Sequence, residues 1–106
     1  MTLPVALTSG EPAGVGPELA VKAWQALKSD CPFFWIGDPR HLPDGARIAL
    51  IDTPGQARAV APTALPVLAL NFAEDAVPGH PATANAAGVI AAIELAVALV
   101  QADEAS

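Results

Sequence analysis

The sequence predicts an α/β fold, a layered parallel or mixed sheet with flanking helices. Three observations carry this reading. Short apolar runs recur without polar alternation, at Leu3–Thr8, Phe33–Gly37, Ile48–Ile51 and Pro66–Leu70. Runs of that kind suit strands covered on both faces. Helix-like segments, Pro17–Lys28 and Thr83–Ala102, alternate with them, as they do in α/β layers. Between the first strand and the first helix lies a stretch with three glycines and two prolines, Gly10 to Pro17.

That stretch organises the rest. Thr8-Ser9-Gly10-Glu11-Pro12-Ala13-Gly14-Val15-Gly16-Pro17-Glu18 reads as strand, glycine-rich turn and helix. Glycine admits close approach to the main chain, and Pro17 suits a first helical turn because its missing N–H is not needed there. The N–H groups at such a helix start favour an anionic group. The alternative is an ordinary tight connection. Two stronger motifs are absent. Gly14-x-Gly16 is followed by Leu19 where the dinucleotide fingerprint has a third glycine, and no Gly-Lys-Ser/Thr occurs.

In Glu18–Lys28, residues Leu19, Ala23, Ala26 and Leu27 fall near one face, with Trp24 on its flank. Glu18 in the first turn and Lys28 in the last complement the helix dipole, and Asp30 and Pro32 end the segment. Cys31 beside the second strand reads as a packed thiol. Asp38 follows that strand's carboxyl end, where α/β sheets place ligand contacts. It is either a turn residue before Pro39 or an acceptor for a substrate hydroxyl. His41, in a short proline-rich connection, reads as a solvated loop histidine. A weak helical turn, Gln56–Ala61, precedes the fourth strand, and Asn71–Pro81 is a loop. Thr83 or Asn85 can cap the last helix. That helix is apolar nearly all round, which implies burial in a larger protein. Its length would let it cross a bilayer; Glu94 near its middle and the lack of a basic flank argue against that.

A chain of 106 residues makes at most one domain, and its 53% hydrophobic content exceeds what one small core hides. A missing partner surface follows as an expectation. The charge is −6 and the five basic residues are scattered, so nucleic-acid binding and attraction to anionic lipid are not expected. The single cysteine excludes an internal disulfide and a cysteine-based zinc site. No signal-peptide pattern opens the chain, and a reduced cytoplasmic location is expected.

The string Ser9 to Glu18 resembles the opening of the 4-hydroxythreonine-4-phosphate dehydrogenase family, Gly-Glu/Asp-Pro-Ala-Gly-Ile/Val-Gly-Pro-Glu. A shorter echo opens the related isocitrate and isopropylmalate dehydrogenases. Phe33-Phe34-Trp35-Ile36-Gly37-Asp38-Pro39, Leu65-Pro66-Val67-Leu68, Pro78-Gly79-His80-Pro81 and Asn85-Ala86-Ala87 follow in the family's order. The resemblance spans nearly the whole chain but only about the first third of a family member. It implies that residues 1–106 are the N-terminal part of an α/β dehydrogenase domain, with a partial isocitrate/isopropylmalate dehydrogenase-like fold and the rest of the enzyme beyond Ser106.

The resemblance also implies a function. Family members use NAD to oxidise the hydroxyl of 4-phospho-hydroxy-L-threonine. Decarboxylation then leads toward pyridoxine and pyridoxal phosphate. A divalent metal (zinc, magnesium or cobalt) sits on three histidines, and the full-length enzyme is a homodimer. The metal and phosphate ligands match nothing here, so no catalytic or metal residue is assigned, and His41 and His80 receive no role. The opening loop does carry over. Gly10, Glu11, Pro12, Gly14 and Gly16 become candidate cofactor-binding residues at a cleft near the nicotinamide. Glu11 either orients a cofactor amide or substrate amine, or holds the turn in shape. Two other readings stand beside this one: a dehydrogenase of another phosphorylated hydroxy acid such as a 4-phosphotetronate, and a small non-catalytic α/β module that binds an anion.

Overall fold

Phe33–Gly37 becomes the central strand β2, and all five of its residues are buried. The computed structural model describes residues 3–28 and 30–106. β1 is Val5–Thr8, β3 is Ile48–Leu50 and β4 is Leu65–Ala69. All pairings are parallel, in the order β1-β2-β4-β3. The sheet is therefore parallel rather than mixed. Pro66 sits inside β4 without disturbing it. The β2–β4 ladder is first registered at Trp35 and Val67, so a residue lacking an N–H stands just before it.

Helix α1, Gly16–Leu27, covers one face; α2, Ala57–Val60, and α3, Ala86–Gln101, cover the other. The α1 face closes over Phe33, Trp35, Leu65 and Val67. The opposite face closes over Phe34 and Ile36 with Ala57 and Ala92. Alternate residues of one strand thus feed two cores, which explains why β2 is apolar throughout. Short 3-10 turns at Pro39–His41, Pro54–Gln56 and Thr83–Asn85 join these elements. Gln56 Oε1 accepts from the Asp52 N–H at 2.6 Å, which closes the turn before α2.

Several local expectations are corrected. The buried stripe of α1 is Pro17, Ala20 and Trp24, whereas Leu19 and Leu27 are exposed. Trp24 decides this, because its indole N–H donates to the Ala61 carbonyl at 2.7 Å and pulls that side of the helix onto the sheet. Lys28 lies just past the helix, with its ammonium 5.4 Å from the Trp24 ring centroid. Cys31 is exposed, not packed. Neither Thr83 nor Asn85 caps α3 through its side chain.

α3 lies on the sheet through small residues. Only Ala92 is fully buried, while Ile90, Ile93, Val97 and Val100 remain exposed. By length and composition the segment Thr83–Gln101 could span a bilayer. Here it packs through Leu95, Ala96 and Leu99 against the Phe34–Ile36 core, and Gly88 lets it approach the Phe72 ring.

Candidate functional site

The carboxyl ends of β1, β2 and β4 lie side by side, and each runs into a loop. Ser9 stays in the sheet, its N–H donating to the Ile36 carbonyl at 3.0 Å. The turn begins at Gly10, where φ is +63°. Glu11 holds the turn in shape: its carboxylate accepts the Ala13 N–H at 3.1 Å and its carbonyl accepts the Gly14 N–H at 3.0 Å. At Gly16 a Cβ would stand 2.8 Å from the Ser9 carbonyl oxygen. Only glycine lets the start of α1 come that close to the end of β1.

Asp38 follows the end of β2 and is almost fully buried, at 3% exposure. Its carboxylate accepts the Arg40 N–H at 3.0 Å, Arg40 Nε at 3.0 Å, Arg40 Nη2 at 2.8 Å and the Phe72 N–H at 2.8 Å. Asp38 is therefore a turn residue, and it also bridges the β2 loop to the β4 loop. Burial pushes its carboxyl upward. The bonds from the Arg40 side chain and from the Arg40 and Phe72 N–H groups outweigh that and hold it below the ordinary value. Arg40 is raised in turn, chiefly by its bond to Asp38. The guanidinium also donates to the Phe72 carbonyl at 2.6 Å and to Asp75 at 3.2 Å.

The β4 loop is built around Phe72. Its ring sits where a Cβ on Gly88 would be 2.6 Å away. It meets His41 edge to face, with centroids 5.0 Å apart. His41 is thus buried, contrary to the expectation of a solvated loop residue. Its Nε2 lies 2.7 Å from the Glu74 carbonyl and carries the proton of that bond. Among the described residues Nδ1 has no partner. Asn85, also buried, accepts the Glu74 N–H at 2.9 Å. Its side chain ties the loop down and is unavailable as a helix cap.

The Gly79 N–H donates to the Ala13 carbonyl at 3.0 Å and joins this loop to the glycine turn. Between them lies a cleft of about 250 Å³. Pro12, Gly14, Glu18, Arg40, Asp44 and Pro78 are among its walls. Of the five candidate residues, Pro12 and Gly14 face this space. Gly10, Glu11 and Gly16 shape the turn that holds them there. Arg40 is neutralised by Asp38 and Asp75, so Glu18 and Asp44 leave the wall net negative. Such a wall favours a neutral or cationic group over a phosphate. The volume suits one ring of a ligand, not a whole dinucleotide. Among the described residues no group of three or more His, Cys, Asp or Glu could hold a metal. His41 and His80 therefore do not fit a three-histidine centre.

The bridging roles of Asp38 and Phe72 and the tie made by Asn85 were not legible as such. The one local signal was Asp38-Pro39-Arg40, a turn-forming acid two residues before a base.

No protein-family model matches the chain. It is 48% identical over 102 residues to a 4-hydroxythreonine-4-phosphate dehydrogenase of Ruegeria sp., an alignment that covers 96% of this chain and 31% of that protein. It is 50% identical over 100 residues to the enzyme of that name from Roseobacter denitrificans, covering 94% and 31%. The chain thus spans less than a third of the length of these relatives. A crystal structure of 4-hydroxythreonine-4-phosphate dehydrogenase from Klebsiella pneumoniae superposes with a TM-score of 0.85 at 24% identity, over 100% of this chain and 35% of that one. That likeness shows the shared fold.

Proposed function

Because the chain belongs to the 4-hydroxythreonine-4-phosphate dehydrogenase family, we propose that it is the N-terminal portion of an NAD-dependent enzyme of this kind. The whole enzyme would oxidise 4-phospho-hydroxy-L-threonine, with decarboxylation following, in pyridoxine and pyridoxal phosphate biosynthesis. The observation that supports a cofactor role for this portion is the acidic cleft beside the glycine turn. NAD accepts the hydride when bound, and its oxidised nicotinamide is cationic. Glu18 and Asp44 would favour that charge, and the turn from Gly10 to Gly16, with Glu11 bracing it, sets Pro12 and Gly14 on the cleft wall, where they would hold the ring.

The remaining machinery is assigned to residues outside this stretch. They would hold the substrate phosphate and a divalent metal (zinc, magnesium or cobalt), so the 106 residues alone are expected to reduce no NAD. The full-length protein is read as a cytoplasmic homodimer that binds neither nucleic acid nor membrane.

Kinetics of the full-length enzyme test this. Gly14→Val or Gly16→Val should raise the KM for NAD or lower kcat while metal content stays unchanged, because a β-branched side chain crowds the turn. Unaltered kinetics in both variants would remove the turn from the cofactor site.

A further inference from the structure

Residues 70–82, which follow β4, hold no helix or strand of their own apart from one bridge between Val77 and His80. Side chains from other elements therefore set the path of this loop. Two consecutive residues of the β2 loop grip it. The Arg40 guanidinium donates from Nη2 to the Phe72 carbonyl at 2.6 Å and from Nη1 to Asp75 at 3.2 Å. The His41 ring donates to the Glu74 carbonyl between them at 2.7 Å. Beyond that grip the loop supplies Ala76 and Pro78 to the cleft wall. Gly79 then docks on the Ala13 carbonyl of the glycine turn. Residues 72–79 thus run from Arg40 to the glycine turn along the cleft.

Arg40 is itself fixed before it reaches the loop. Its backbone N–H donates to Asp38 Oδ1, and its Nε and Nη2 converge on Asp38 Oδ2. The Asp38 side chain is only 4% exposed, so this pairing sets the plane of the guanidinium from a rigid base. The remaining N–H groups of the fork are then aimed at the loop. A lysine has a single ammonium in place of the fork. It can keep a charge beside Asp38, but it cannot hold two carboxylates and a carbonyl in one plane.

We propose that Arg40 is a positioning residue for cofactor binding: it holds residues 72–79 in place, so that Ala76 and Pro78 complete the cleft formed with Pro12 and Gly14. The proposal rests on the cofactor reading of this cleft. A site whose wall is in place only part of the time binds its ligand more weakly by that fraction. Arg40 acts through the loop, so its loss falls on cofactor affinity more than on the chemical step.

Arg40→Lys tests this, because it leaves a cation beside the buried Asp38 carboxylate and so preserves the fold. In the 106-residue chain, amide exchange is read by NMR at Gly79, which reports the bond to Ala13, and at Ser9, which reports the sheet through its bond to the Ile36 carbonyl. Exchange at Gly79 should speed up by about three- to tenfold while Ser9 stays within about twofold of the parent, the pattern of a local opening. In the full-length enzyme the same variant should raise the KM for NAD by about three- to tenfold, more than it lowers kcat. The KM for 4-phospho-hydroxy-L-threonine and the metal content should not change. Equal acceleration at Gly79 and Ser9 would overturn the proposal, because Arg40 would then serve the fold as a whole. So would unchanged exchange at Gly79, or an unchanged KM for NAD in a variant whose loop has opened. A parent enzyme that reduces no NAD would instead overturn the dehydrogenase reading, and the cofactor role of Arg40 with it.

Discussion

Replacing Asp38 with alanine should destabilise the chain by stripping partners from two loops. The carboxylate accepts four hydrogen bonds, three from Arg40 and one from the Phe72 N–H. The consequences differ by partner. Arg40 is half exposed, so its guanidinium regains water and little is lost there. Phe72 is 2% exposed, so its N–H is left buried without an acceptor, at a cost of about 1–3 kcal/mol. The change therefore amounts to about 1–3 kcal/mol, a sizeable part of the roughly 5–15 kcal/mol expected of a domain. In urea unfolding, with a slope of about 2 kcal/mol per molar, the midpoint should fall by about 0.5–1.5 M. Asp38→Asn should fall between the two, because an amide oxygen still accepts from Phe72.

The pH dependence supplies an independent check. The Asp38 carboxyl in the folded chain lies below its ordinary value of 3.8. Its stabilising contribution is therefore complete above that value and is lost as pH falls through the folded-state value beneath it. The acid limb of stability should be shallower in Asp38→Ala than in the parent. A midpoint shift under about 0.2 M, or an unchanged acid limb, would refute the reasoning.

Two further outcomes follow from close contacts and a third from an exposed apolar face. Gly16→Ala would place a Cβ 2.8 Å from the Ser9 carbonyl, and thermal unfolding should show a loss of about 1–3 kcal/mol. Gly88→Ala would put a Cβ 2.6 Å from the Phe72 ring; a similar loss, with altered ring-current shifts at His41, should appear by NMR. The exposed apolar side of α3 should make the 106-residue chain self-associate, and Val97→Lys and Val100→Lys should weaken that association in sedimentation by about 1 kcal/mol each.

The sheet was legible because β2 is apolar at every position and must be covered twice. The glycine turn was legible because Pro17 and three glycines leave little else. The inward face of α1 was not. Leu19 and Leu27 make a plausible stripe, and the choice of Ala20 and Trp24 depends on the Ala61 carbonyl, far along the chain. His41 was misread in the same way, and the bridge that Asp38 makes beyond its turn was hidden, since their surroundings come from Phe72 and Glu74 on a loop more than thirty residues later. Cys31 read as packed because it adjoins an apolar run, but it sits just outside the covered strand. The acidic cleft wall was hidden too, because it depends on Arg40 being neutralised by Asp38 and by distant Asp75.

The central claim is that these residues open an NAD-dependent dehydrogenase and shape its cofactor cleft. A chimera tests it most directly. This chain replaces the matching 102-residue stretch of the Ruegeria relative, and NAD reduction is measured with 4-phospho-hydroxy-L-threonine and added divalent metal. The account predicts turnover within about tenfold of the parent enzyme, a loss of at most about 1.4 kcal/mol in transition-state binding, and a raised KM for NAD once Gly14→Val is introduced. A folded chimera that loads metal yet reduces no NAD would contradict it.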